Sequence, residues 1–174
     1  MSTTETKVPP KHTKKETVPE KTDDTAPAFE KSFVDQIVNQ FSDDIEIEYI
    51  KENRTKLKVK KEKIVDVAKF IKDNTPFDHA ESVTGVDFPD DKEIGVTYHL
   101  GSYTDPDYSK QVLALATRAP REETPNPGND STKLPSLRNM FYSVEFHERE
   151  IFEMLGVYFE GHPDNRRLLL PEDW

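Results

Sequence analysis

Residues 29–59 read FEKSFVDQIVNQFSDDIEIEYIKENRTKLKV, and this stretch contains two different periodicities. In its first half the apolar residues recur on one face of a helix, at Phe29, Phe33, Val34, Ile37, Val38 and Phe41. In its second half they alternate with glutamates, at Ile45, Ile47 and Tyr49. Leu57 and Val59 then alternate with lysines after a turn at residues 51–54. These patterns predict a helix followed by a β-hairpin that has one solvent-facing side.

The residues after the hairpin predict a second helix and more strands. Helical spacing returns at Ile64, Val65, Ala68 and Ile71, and Asn74 with Pro76 ends this helix. Three further strands are predicted at about residues 80–86, 93–100 and 111–119. The order α-β-β-α-β-β-β indicates an α+β fold, a two-layer α/β sandwich of about five strands with two helices on one face of the sheet. A C-terminal helix and an extended C-terminal tail complete it.

Composition limits the function. The chain has 174 residues, of which 34 are acidic and 24 basic, so its formal net charge is −10. An acidic surface argues against a nucleic acid partner, because phosphate binding requires a basic one. Cys is absent, which excludes disulfides, thiolate sites for iron–sulfur clusters or zinc, and a cysteine nucleophile.

The sequence divides into three parts. Residues 1–28 contain few apolar side chains and balance five lysines against five acids, so they are predicted to be a disordered tail. Residues 29–135 are the α/β sandwich domain, which ends in a proline-rich loop at 120–135. Residues 136–174 form the C-terminal helix and an extended partner-binding tail.

The N-terminus and the hydropathy of the chain bear on its location. No apolar run approaches the roughly 20 residues that span a bilayer. The first residues, Met1 to Glu5, lack the apolar core of a signal peptide. A cytoplasmic protein, soluble or peripherally held, is therefore expected.

The C-terminal helix has an unusual pattern. A short helix is predicted at residues 136–142, and a second at 144–155, with Ser143 as its cap and Gly156 after its end. At about 100° per residue, Glu148 falls within the apolar face of this second helix. Glu148 and Glu150 diverge, so they cannot share one substrate. An ion pair of these glutamates with Arg149 or with a partner arginine is the preferred interpretation.

The tail after this helix reads VYFEGHPDNRRLLLPEDW (residues 157–174). Glycine and prolines prevent a helix there, whereas the leucines and aromatic residues are too apolar for a free tail. Two interpretations stay open. The tail lies across a partner, with Arg166 and Arg167 in ion pairs, or it folds back onto its own domain.

A different class of function is a stand-alone metal-dependent hydrolase. His147, Glu150 and His162 are residue types that bind zinc. The helix lacks the second histidine of a zinc-protease motif, however, and no catalytic, cofactor-binding or metal-binding residue is predicted.

The C-terminal residues resemble a known signature. Glu148-Arg149-Glu150, Glu153-Met154-Leu155, His162, Arg166 and Leu168-Leu169 are spaced as in the 30-kDa subunit of respiratory complex I, the NADH-quinone oxidoreductase C subunit. Upstream, residues 81–89 and 96–100 resemble the paired central strands of that family. Residues 134–137 resemble its entry to the C-terminal helix.

The resemblance implies a cofactor-free, non-catalytic structural subunit in the peripheral arm of a complex I-type quinone oxidoreductase, which couples electron transfer to quinone with proton translocation. In this hetero-oligomer the chain packs on the large hydrogenase-like 49-kDa subunit (the D subunit) and near the iron–sulfur subunits. The partners hold the iron–sulfur clusters and quinone, and the chain lies peripherally on the cytoplasmic side of the cell membrane. The partner interface is expected at Glu148, Arg149, Glu150, His162, Arg166, Arg167 and Trp174.

The resemblance leaves the exact complex open. The equivalent subunit of a membrane-bound hydrogenase is an alternative that shares every one of these residues.

Overall fold

The computed structural model describes residues 27–121, 132–171 and 173. In these ranges the element order is α1 (Ala28–Gln40), β1 (Ile45–Lys51), β2 (Arg54–Val59), α2 (Ile64–Asn74), β3 (His79–Phe88), β4 (Glu93–Gly101), β5 (Val112–Pro120), β6 (Lys133–Pro135), α3 (Val144–Leu155) and β7 (Tyr158–Glu160). The predicted α+β fold class is confirmed. None of the helices in these ranges has the length and hydropathy needed to cross a bilayer.

The large sheet has five strands in the order β1-β2-β5-β4-β3. The pairing of β2 with β5 is parallel, and the other pairs are antiparallel. Leu57, Leu115, Tyr98 and Val83 lie side by side across four strands, and all of them are buried. Apolar side chains from all three helices join this same core.

The first hairpin differs from the predicted alternation at one point. The register shifts between Ile47 and Tyr49, so Glu48 is an extra residue in β1. Such a bulge reverses which residues face the core. Ile50, rather than the predicted Tyr49, therefore packs on the core, and Tyr49 lies opposite Lys56. The prediction that Tyr49 shares the face of Ile47 is wrong.

The proline-rich loop and the tail are shorter than predicted. Residues 133–135 form β6, which pairs in parallel with β7 at residues 158–160. Leu134 and Phe159 are in register and fully buried. Strands of three residues are too short to show an alternation of apolar and polar residues in the sequence. The predicted loop therefore ends before Lys133, and the tail begins only after β7.

Other boundaries also differ from prediction. Residues 136–142 contain a single turn, in which the N–H groups of Met140 and Phe141 both bond to the Leu137 carbonyl, and not the predicted short helix. Helix α1 begins at Ala28, inside the predicted tail. The rest of that tail, up to residue 26, and loop residues 122–131 lie outside the described residues.

A buried carboxylate fixes α1 to the sheet. Glu30 is 2% exposed, and its Oε1 accepts a hydrogen bond from the Asn53 backbone N–H at 2.7 Å. The same oxygen accepts a bond from the Gln111 side-chain amide at 3.0 Å. Asn53 stands in the tight turn of the first hairpin with φ 60°. Glu30 thus connects α1, the hairpin turn and the start of β5.

Glu30→Ala is expected to lower the free energy of unfolding by about 1–2 kcal/mol, because the half-buried Asn53 N–H loses its acceptor and the Gln111 amide keeps only Asn53 Oδ1. Urea unfolding measures this. Glu30→Gln keeps an oxygen acceptor and should lose less. A loss for Glu30→Ala no larger than that for Asp35→Ala, on the exposed side of the same helix, would contradict the assignment.

Candidate functional site

Helix α3 ends as the sequence predicts. It runs from Val144 to Leu155 and is followed by Gly156, whose φ of 73° is left-handed. Glycine suits this position because it has no Cβ to strain the backbone. Ser143 precedes the helix but does not cap it with its side chain. Its Oγ instead accepts a hydrogen bond from the Ala80 N–H at 3.1 Å, which ties the helix start to β3.

Glu148 is the central residue on the inner side of α3, and it is fully buried. Its Oε1 accepts hydrogen bonds from the Tyr98 hydroxyl and the Leu137 N–H, each at 2.9 Å. Its Oε2 accepts one from the Ser136 hydroxyl at 2.5 Å. The carboxylate thus joins α3, β4 and the turn before α3. The described structure contains neither an ion pair of Glu148 with Arg149 nor an exposed part of Glu148 for a partner arginine.

The buried surroundings raise the pKa values of two side chains, Glu148 and Tyr98. Burial raises the pKa of the Glu148 carboxyl, although the three donors act in the opposite direction. Burial also raises the pKa of Tyr98 well above its usual value, and the negative charge of Glu148 adds to the effect. Both groups therefore disfavour their charged forms.

His162 is a buried structural residue. Its Nε2 lies 3.1 Å from the Glu145 carbonyl oxygen, and its Nδ1 accepts the Asp164 N–H at 3.0 Å. Because a backbone N–H bonds to Nδ1, the ring proton is on Nε2. Both nitrogens are thus occupied by backbone groups, which leaves none for a metal. Within the described ranges, no group of three His, Asp or Glu residues could hold a metal ion.

The outer flank of α3 holds the backbone of residues 166–170, here called the C-terminal segment. Arg149 donates from Nε to the Arg166 carbonyl at 2.9 Å and from Nη2 to the Arg167 carbonyl at 2.6 Å. The Glu153 carboxylate accepts the N–H groups of residues 168, 169 and 170 at 3.2, 2.8 and 2.9 Å. These bonds outweigh desolvation and lower the pKa of Glu153.

This clamp matches one of the two interpretations of the tail, and the other, contact with a partner, stays a prediction. The backbone folds back onto its own helix, as one of them states. The Leu169 side chain nevertheless remains 58% exposed. Unlike a free tail, the segment is fixed while still presenting an apolar side chain to solvent.

The C-terminal third carries most of the exposed apolar surface in the described ranges. Eight large hydrophobic side chains are exposed in these ranges, and five of them belong to this third: Tyr142, Phe146, Met154, Tyr158 and Leu169. A concentration of exposed apolar side chains is typical of protein interfaces. This exposed apolar surface lies in the same region of the chain as the predicted interface residues, although Glu148 and His162 among them are buried.

The remaining predicted interface residues are spread over this surface. Glu150 is exposed on α3. Arg166 is bound to the Asp164 carboxylate at 2.9 and 2.8 Å, and this bond lowers the pKa of Asp164 far below its usual value. Arg167 donates to the Pro171 carbonyl at 3.0 Å. Trp174 lies outside the described residues. That these residues contact a partner stays a prediction.

Three residues of this region were not among the predicted site residues. Glu153 was available from the sequence, since it lies four residues after Arg149 and belongs to the quoted signature. Tyr98 and Ser136 gave no signal of their own, because their only link to Glu148 is through the tertiary fold.

Comparison with known proteins relates the chain to one family. The model of the family described as respiratory-chain NADH dehydrogenase, 30 Kd subunit, matches residues 57–174. The C subunit of the F(420)H(2) dehydrogenase of Methanosarcina mazei is 35% identical over 120 residues, which are 69% of this chain and 68% of that protein. The C subunit of the NADH-quinone oxidoreductase of a Roseiflexus species is 37% identical over 119 residues, 67% of this chain and 62% of that one. The chain thus spans about two thirds of the length of these relatives.

A longer relative and two solved structures extend the comparison. The C/D subunit of the NADH-quinone oxidoreductase of Phocaeicola vulgatus is 30% identical over 119 residues, which are 68% of this chain but 21% of that protein. A chain of a membrane-bound sulfane sulfur reductase, an archaeal respiratory membrane complex, superposes with a TM-score of 0.64 at 27% identity, covering 82% of this chain and 75% of that one. A trypsin-resistant fragment of Nqo5 has the same fold, with a TM-score of 0.60 at 22% identity, covering 77% and 97%.

Proposed function

The chain belongs to the family of the 30-kDa subunit of respiratory-chain NADH dehydrogenase, and on this premise we propose that it is a cofactor-free structural subunit in the peripheral arm of a complex I-type quinone oxidoreductase. It does no chemistry itself. It supports a neighbouring module that transfers electrons to quinone, coupled to proton translocation. The complex holds it peripherally at the cytoplasmic side of the cell membrane.

One observation carries this proposal. Arg149 and Glu153 hold the backbone of the C-terminal segment against α3, and the Leu169 side chain is left exposed. Fixing a segment in this way removes the entropy cost of ordering it when a partner binds. An ordered segment with an exposed apolar side chain suits a permanent interface better than a substrate site.

The proposed partner is the large hydrogenase-like 49-kDa subunit, with iron–sulfur subunits nearby. The relative from Phocaeicola vulgatus is named as a combined C/D subunit. That name supports the D subunit, which is the 49-kDa protein, as the neighbour of this chain. The sequence contains no Cys, the residue that ligates iron–sulfur clusters. This supports the proposal that the partners, rather than this chain, hold the clusters.

A second candidate is the equivalent subunit in a complex with another electron donor or acceptor, such as a membrane-bound hydrogenase. This second candidate is supported by the similarity to a subunit of an F(420)H(2) dehydrogenase and to a chain of a sulfane sulfur reductase. The fold and the C-terminal surface are compatible with either complex.

Purification of the tagged full-length chain from native membranes tests both candidates. We expect the 49-kDa subunit and iron–sulfur subunits to co-purify in a fixed ratio, and mass spectrometry of the remaining subunits identifies the electron donor. Recovery of the chain alone from intact membranes would contradict the proposal. Metal and flavin analysis of the chain expressed alone should find neither, and a bound transition metal would favour the hydrolase instead.

A further inference from the structure

One carboxylate of α3 stands apart from the others. The helix contains four glutamates, and three of them are used within the chain. Glu145 pairs with Arg138 at 3.0 Å, Glu148 accepts three buried donors, and Glu153 holds the C-terminal segment. Glu150 is exposed and makes no hydrogen bond or ion pair with any of the described residues.

Glu150 also lies between two exposed apolar side chains. Phe146 and Met154 are one helical turn before and after it and are 59% and 52% exposed. These three residues, here called the outer stripe, form a single i, i+4, i+8 row on α3. A polar face that is only solvated does not require a large apolar side chain on each side of the Glu150 carboxylate.

From this pattern we infer that the outer stripe is a docking site for an α-helix of the partner protein that carries one Lys or Arg between two apolar side chains. A row of side chains at i, i+4 and i+8 fits the groove of a second helix. The apolar ends would exclude water around the ion pair, and this strengthens the attraction between the charges. The inference rests on the proposed function and specifies the chemistry of its partner.

Charge reversal of Glu150 in the tagged chain tests the inference. Glu150→Lys should reduce the recovery of partner subunits about 30-fold or more at moderate salt, the ratio that corresponds to about 2 kcal/mol for a desolvated charge pair. Glu150→Gln should reduce it less, and it should weaken the dependence of recovery on salt concentration.

Asp35→Lys is the matched control, because Asp35 is also an exposed carboxylate on a helix but its neighbours one turn away, Lys31 and Asn39, are polar. It should leave partner recovery unchanged. Thermal unfolding of each isolated variant should match that of the native chain, since Glu150 has no described intramolecular partner to lose.

The outcomes separate this inference from the proposed function. Normal recovery with Glu150→Lys, together with loss of partners when residues 166–174 are removed, would overturn the inference alone. Equal losses with Glu150→Lys and Asp35→Lys would also overturn it, because they would indicate a general effect of charge. Normal recovery with every variant, including the truncated one, would contradict the proposed interface as a whole.

Discussion

Replacing Glu148 with alanine is expected to lower the free energy of unfolding by about 4 kcal/mol or more. The Tyr98 hydroxyl, the Ser136 hydroxyl and the Leu137 N–H would each lose their acceptor at a fully buried position. An unsatisfied buried donor costs about 1–3 kcal/mol, and the missing side chain adds a cavity. Urea unfolding of the isolated chain measures the loss.

Glu148→Gln is the matched variant for this prediction. Its side-chain oxygen can still accept from Tyr98 and Leu137, and its amide can donate to the Ser136 oxygen. We expect a change of about 1 kcal/mol or less from exchanging such hydrogen bonds. If the alanine variant were as stable as the glutamine variant, Glu148 would not hold the three elements together.

The same pair of proteins gives a pH prediction. Burial raises the pKa of Glu148 above its usual value of 4.5, so the folded state binds its proton more tightly than the unfolded state does. The resulting stabilisation is complete below pH 4.5 and is lost as the pH rises through the folded-state pKa. The native chain should therefore lose stability relative to Glu148→Gln as the pH rises from about 4.5. A constant difference between the two would contradict a raised pKa.

Periodicity explains which parts of the fold could be predicted. The helices α1 and α2 and the strands β4 and β5 have long repeats of apolar residues, and the structure places them within a few residues of the predicted bounds. A bulge at Glu48 is a single-residue event that does not alter composition, so the alternation through Tyr49 was misleading. The strands β6 and β7 have only three residues each, and their pairing is tertiary.

The candidate site was predictable only where it is local. Glu148 is recognisable from the sequence as a carboxylate within an apolar helical face. Its role could not be derived, because Tyr98 is 50 residues away along the chain. His162 is predicted at a partner interface, which no observation here tests, and the structure shows a role that the sequence did not indicate: its ring is buried against two backbone groups. Side chains that bond to distant backbone atoms leave no pattern in the sequence.

Removing residues 166–174 is expected to abolish assembly while leaving the domain folded. The deleted part includes the segment that Arg149 and Glu153 hold, and in the described ranges its residues are exposed or half-buried. The tagged, truncated chain should unfold at nearly the native temperature but should recover no partner subunits from native membranes.

The position of the cut decides whether this experiment is informative. A cut after Leu155 would also remove Val157 and Phe159, which are fully buried, and His162, which is 7% exposed. That variant should fail to fold, so its loss of partners would reveal nothing about the interface. Glu153→Ala keeps every residue of the segment and only releases its backbone, so it should reduce recovery less than the deletion does. Intact complex at normal yield from the 166–174 deletion would show that the segment is not required for assembly.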